Sequence, residues 1–206
     1  MRALIDALAV LFPVDCAGCG AADRSVCEDC RSHLGAPLVR MLDDLEVRSA
    51  AAYEDRVRRL VLAVKEDGRT DVAGALAAAV RPLLPAEALI VPIPGSADAL
   101  RRRGYDPVLV LARRLRRPVA RVLRVSGASV VQKALGERER GENRAGSMVA
   151  TDRLEGRRVV LLDDVVTSGA TLRDGARALR EAGAEVVAAV TVASTPRHSM
   201  NPQRRS

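Results

Sequence analysis

The chain has 206 residues, 48% of them apolar, and a formal net charge of +7. That length suits one ordinary domain with a small appendage, and the apolar content is enough for a core. Phe12, Tyr53 and Tyr105 are its only aromatic residues, which argues against modules that stack unpaired bases on aromatic platforms.

In the opening run, Leu4, Leu8 and Leu11 fall on one helical face, while Asp6 interrupts the apolar stretch of a signal peptide. Cys16-x-x-Cys19 and Cys27-x-x-Cys30 then follow, separated by seven residues. A two-residue spacer lets both sulfurs of a knuckle reach one ion, and two knuckles complete a tetrahedral site. A closed structural Zn²⁺ site is expected, with iron–sulfur ligation as the other reading of the same thiols. The segment is short and polar and offers little core of its own, so metal is expected to hold it together. Ala36 to Asp44 reads as a join to the main domain. The expected division is 1–38 for the N-terminal helix and the four-cysteine zinc module, 39–195 for the main domain, and 196–206 for a disordered tail.

From Glu46 onward, strand-like and helix-like patterns alternate. Val47 to Tyr53 reads as a strand, Asp55 to Glu66 as an amphipathic helix and Val72 to Leu84 as an Ala-rich helix. Leu89 to Ile93 suits a buried parallel strand. Pro107 to Arg116 is a helix with Asp106 as its cap and proline at the first helical position. Val119 to Val125 is another strand, and 126–147 is polar and aperiodic. Arg157 to Leu162 is an apolar strand, Asp163 to Gly169 a turn, Ala170 to Gly183 a helix, and Glu185 to Ala193 the last strand. The alternation predicts an α/β fold, a parallel sheet flanked by helices on both faces. The most apolar stretch, Leu76 to Pro94, is broken by Arg81, Glu87 and several prolines, so no membrane span is expected and a cytoplasmic location is.

The run Val159 to Leu172 carries most of the functional argument. A buried strand delivers Asp163 and Asp164 to the carboxyl edge of a parallel sheet, where open α/β folds bind ligands. Thr167, Ser168, Gly169, Ala170 and Thr171 then turn tightly into a helix N-terminus, whose N–H groups and dipole favour an anion. Carboxylates repel a phosphate but suit vicinal hydroxyls or a metal ion. A ribose 5-phosphate meets both requirements at once. The plain alternative is a capped strand–helix turn with solvent-facing aspartates. Lys65, at the end of its amphipathic helix, reads as an exposed lysine complementing the helix dipole.

The Val159–Leu172 segment resembles the 5-phosphoribosyl 1-pyrophosphate (PRPP) signature of type I phosphoribosyltransferases. More narrowly, the chain from Leu11 to about Ala193 resembles the ComF (competence protein F-like) family. The other markers are LFPVDCAGCG, VPIPGSADALRRRGYDP, and Gln132, Leu135, Arg140 and Asn143. The resemblance implies that Asp163 and Asp164 are the catalytic pair on the ribose hydroxyls. It assigns Val165, Val166, Thr167, Ser168, Gly169, Ala170 and Thr171 to the phosphate- and PRPP-binding turn, and Arg103 and Gly104 to a pyrophosphate loop. Gln132, Arg140 and Asn143 become residues of a closing lid, Lys65 stands in the position of a lysine common in the family, and Mg²⁺ accompanies PRPP. Departures are Asp106-Pro107 where the family has Asn-Gln, GASVV before Gln132, and Ser168 in the turn. Two functions stay open. One is transfer of the phosphoribosyl group to a nitrogen nucleophile. The other is a non-catalytic accessory role in DNA uptake during natural competence, beside a helicase-like partner or single-stranded DNA.

Overall fold

The computed structural model describes residues 14–126 and 147–196. The expected N-terminal helix, the lid residues Gln132, Arg140 and Asn143, and nearly all of the C-terminal tail lie outside the described residues.

The centre is a five-stranded sheet in the order β1-β2-β7-β6-β3, formed by β1 (Leu38–Leu42), β2 (Leu45–Ala52), β3 (Leu89–Pro92), β6 (Arg158–Val166) and β7 (Glu185–Ser194). The pairs β2–β7, β7–β6 and β6–β3 are parallel, and only β1 runs antiparallel, against β2. Strands buried on both faces read as continuous apolar runs, as in Val159–Leu162. The helices are α1 (Glu28–Ser32), α2 (Asp55–Lys65), α3 (Ala73–Val80), α4 (Ala97–Arg103), α5 (Pro107–Arg114) and α6 (Ala170–Glu181).

Successive residues of β6 face opposite sides of the sheet and so feed two cores. Val160 and Leu162 pack with Leu60, Val61, Leu76, Val80, Val108 and Leu111 from α2, α3 and α5. Val159 and Leu161 pack with Leu172, Ala176 and Leu179 of α6. A separate two-stranded antiparallel sheet, β4 (Leu123–Val125) with β5 (Met148–Ala150), covers the outer part of this second core. The observed architecture is thus the expected parallel sheet flanked by helices. Among the described residues, no helix is long and apolar enough to cross a membrane.

Several elements depart from the sequence expectation. The join at 36–44 contains β1, a full edge strand. Val119 forms only an isolated bridge to Ile90, and Leu123–Val125 belongs to the small sheet, so 119–125 is no strand of the main one. The helix expected over 72–84 becomes a 3₁₀ turn at Arg81–Leu83, where Pro82 removes a backbone donor. Strand β6 runs on to Val166, so both aspartates stand on the strand and the turn shrinks to 167–169. The cysteine segment is not short of a core. Cys16, Val26, Cys30 and Leu34 are buried in the same cluster as α2 and α3, and Gly18 is so close to Cys30 that a β-carbon would lie 2.6 Å from its Sγ.

Asp174 shows how the small sheet is tied to α6. Its carboxylate is almost wholly buried and accepts from the Ser147 N–H (3.0 Å), the Met148 N–H (2.9 Å) and Arg177 Nη2 (2.7 Å). Replacing this acceptor with an amide turns one oxygen into a donor facing donors. Asp174→Asn is expected to cost about 2 kcal/mol in chemical denaturation. A loss within error of zero would show that the buried carboxylate is not what anchors β5.

Candidate functional site

A cleft of about 490 Å³ opens across the carboxyl ends of β3 and β6. From β6 it is lined by Asp163, Asp164 and Val165, and from the turn and α6 by Thr167 and Thr171. Facing them are Lys65 at the end of α2, Arg102 and Arg103 of α4, and Asp106. A parallel sheet puts its strand ends and helix N-termini on one edge, which is why residues far apart in the chain meet here.

The acidic pair is locally folded back on itself. The Asp164 N–H donates to Asp163 Oδ1 (2.8 Å) and the Val165 N–H to Asp164 Oδ1 (2.7 Å). Burial, and then the neighbouring Asp164 charge, push the Asp163 carboxyl well above its ordinary range. Lys65 Nζ lies 2.8 Å from Asp164 Oδ2. Burial opposes the lysine's charge, but Asp164 and then Asp163 outweigh it and raise its pKa. Lys65 is therefore a residue of the cleft. The signal was present in the sequence: Val57, Val61 and Lys65 are spaced by four and share one helical stripe.

The turn after β6 is shaped by Gly169, which has φ +82° and is the N-cap of α6. A β-carbon here would overlap Leu42 Cδ1 and stand 2.9 Å from Cδ2. Both the left-handed backbone and the close approach of β1 demand glycine. Thr167 and Ser168 are exposed, whereas Val166 is buried in the core and lends the cleft no side chain. Ser168 and Gly169 complete the turn and Ala170 opens α6, beside the cleft and not in its lining.

The expected pyrophosphate loop is largely helix α4. Gly104 is its left-handed C-cap, at φ +76°. Arg103 lines the cleft but pairs through two nitrogens with Glu66. Among the described residues Arg102 forms no ion pair, and Arg101 pairs with Asp98. Asp106 caps α5 as expected, accepting from Val108 (2.9 Å) and Leu109 (3.3 Å), and it also receives the Gly95 N–H (3.2 Å). It thereby fastens the loop after β3 to α5 while presenting a third carboxylate to the cleft. That second task was not visible in its spacing.

The four cysteine sulfurs lie within 4.8 Å of one another, with Cys19 and Cys27 3.6 Å apart. Tetrahedral thiolates around zinc would stand about 3.8 Å apart, so the donor set fits a metal ion. Burial raises the Cys16 thiol, but donors led by the Cys27 N–H (3.3 Å) bring it down to about 6. Burial and the neighbouring thiols push Cys30 up. Four crowded thiols resist ionising together until a cation compensates them. At the cleft, Asp163 and Asp164 offer hard oxygen donors of the type Mg²⁺ takes. His33 lies 3.5 Å from Arg56 and stands outside both sites.

Comparison with known proteins adds two findings. The family model for the phosphoribosyl transferase domain matches residues 99–205. The orotate phosphoribosyltransferase of Nocardioides sp. (strain ATCC BAA-499 / JS614) is 64% identical over 31 residues, 15% of this chain and 17% of that protein. The chain therefore matches less than a fifth of that relative's length.

Two outcomes follow from this geometry. A carboxyl whose folded pKa exceeds its unfolded value stabilises the fold below the unfolded pKa, and that contribution is lost as pH rises through the folded one. Asp163→Asn is thus expected to raise the urea midpoint at neutral pH, with the gain vanishing below the ordinary aspartate range. A lowered midpoint at neutral pH would contradict it. Gly169→Ala is expected to cost about 2 kcal/mol or more from backbone strain and overpacking. A thermal scan in which this variant matches the parent would refute the clash with Leu42.

Proposed function

Since the chain belongs to the phosphoribosyl transferase domain family, we propose that it binds PRPP with Mg²⁺ and transfers the phosphoribosyl group to a nitrogen nucleophile, releasing pyrophosphate. The observation that carries this reading is the pairing of two carboxylates at the end of β6 with the hydroxyl-bearing Thr167 and Thr171, from the turn and the head of α6, in one cleft.

Each part of the cleft suits one part of the ligand. The turn, with its glycine and helix N-terminus, suits the 5-phosphate. Asp163 and Asp164 suit the ribose 2- and 3-hydroxyls, and on release from Lys65 the Asp164 oxygens accept hydrogen bonds from them. Lys65 and Arg102 supply positive charge where pyrophosphate departs. In the reaction the bond from the anomeric carbon to the pyrophosphate oxygen breaks, and its electron pair leaves with pyrophosphate. The nitrogen lone pair forms the new bond, and the nitrogen then loses its proton. The carbon gains cationic character on the way, which nearby carboxylates favour. Bound Mg²⁺ would neutralise charge on the leaving group. The protein's own contribution is to orient the sugar and screen the leaving group, so no covalent nucleophile is required.

The finer reading is a ComF-like member with a structural zinc. It is supported by the four-cysteine cluster standing in front of the sugar-phosphate domain and sharing its core. Gln132, Arg140 and Asn143 are proposed as lid residues in this reading.

The test is calorimetric titration of the zinc-loaded protein with PRPP and Mg²⁺. Binding of micromolar order, about 8 kcal/mol, is expected, and it should disappear in Asp163→Asn/Asp164→Asn. Because Asp163 must be ionised to accept two hydroxyl or metal contacts, affinity should fall as pH drops through its raised pKa, earlier than for an ordinary aspartate. Elemental analysis should find one zinc per chain, lost in Cys30→Ser. A well-folded protein that ignores PRPP would overturn the transfer reading and leave the accessory role.

A further inference from the structure

We propose that the β1–β2 hairpin positions the phosphate turn, and that Asp43 and Arg173 are positioning residues for the phosphate group of the ligand. This inference rests on the phosphoribosyl reading of the cleft. The hairpin lies outside residues 99–205, so the match to the family model does not supply it.

Three contacts join the hairpin to the turn. From β1, Arg40 Nη2 donates to the Thr167 carbonyl (2.7 Å). Leu42 fills the space beside Gly169 where a side chain would be. Asp43, at the tip between β1 and β2, accepts from Arg173 Nε (2.7 Å), and Arg173 Nη1 donates in turn to the Ser168 carbonyl (3.1 Å). At the same tip Asp44 pairs with Arg180 (2.9 Å), so both aspartates clasp arginines of α6.

The consequence lies in peptide geometry. In a planar trans peptide the N–H points opposite to the carbonyl. Drawing the Thr167 and Ser168 carbonyls onto two arginines therefore turns the Ser168 and Gly169 N–H groups the other way. Ser168 and Gly169 stand beside the cleft lining, and these N–H groups are among the donors an anion seated at the head of α6, between Thr167 and Thr171, would use. The peptides are thus oriented before the ligand arrives, and less ordering remains to be done on binding. Arg173 cannot reach the phosphate itself while it bridges Asp43 and Ser168. Its effect passes through the backbone.

The Asp43–Arg173 pair is open to water, with side chains 73% and 41% exposed, so its effect on affinity is modest. Asp43→Asn and Arg173→Ala are each expected to weaken ribose 5-phosphate binding about fivefold, and the double variant by no more than the worse single one. Asn tolerates the left-handed backbone of Asp43 (φ +57°), and Ala suits an exposed helix position. Arg173→Lys, able to hold one partner at a time, should restore only part of the loss. Pyrophosphate with Mg²⁺, titrated into the same variants, is the control: its affinity should stay unchanged. Parallel loss for both ligands would mean general loosening and overturn the proposal, as would unchanged ribose 5-phosphate affinity. Failure of the parent protein to bind ribose 5-phosphate would strike the phosphoribosyl reading itself, a result distinguishable from either.

Discussion

At the end of β6 two consecutive carboxylates enter one partly buried cleft, with Asp106 adding a third, and their mutual repulsion must be balanced for the fold to hold. Lys65 supplies the balance by pairing with Asp164, while Asp163 relieves the remaining strain by favouring its protonated form. A helix that ends on the cleft's rim is a simple way to deliver such a cation: α2 buries Val57, Val61 and Val64 and lets its terminal lysine reach past the sheet edge. The surrounding structure follows from this arrangement. Helices α2 and α5 and the loop after β3 all converge on the same edge, and Asp106 ties two of them together.

Binding chemistry and stability pull against each other here. Burial and the Asp164 charge both disfavour an ionised Asp163, so the carboxylates that suit a ligand are a cost to the fold itself. A ligand with hydroxyls, or a cation, gives those charges partners. The crowding that costs stability therefore also favours any group that pairs with these charges.

The cysteine cluster is coupled to the same framework. Cys30 and Cys16 are buried against Leu60 and its neighbours in the core that α2 shares with β6 and β7. Metal binding at the knuckles would firm up the face of α2 opposite the solvent, and α2 carries Lys65. The hairpin acts similarly from the other side of the sheet, where Leu42 and Leu45 pack among the residues that seat α6.

The sequence by itself determined the elements whose periodicity is local. The apolar run of β6, the amphipathic stripes of α2 and α6, the Asp106-Pro107 start of α5 and the paired Cys-x-x-Cys knuckles were all legible, because each depends on neighbours within a few residues. The acidic pair and the hydroxyl-bearing turn were legible for the same reason. The role of 38–42 was not. Leu38, Val39 and Met41 are exposed, so β1 lacks the alternation of a half-buried strand, and only pairing with β2 makes it one. Lys65 on Asp164, Arg40 on the Thr167 carbonyl and Leu42 against Gly169 likewise join residues from distant parts of the chain. Local pattern carries no information about such distances. Only the closing of the sheet decided which side chains would meet at its edge.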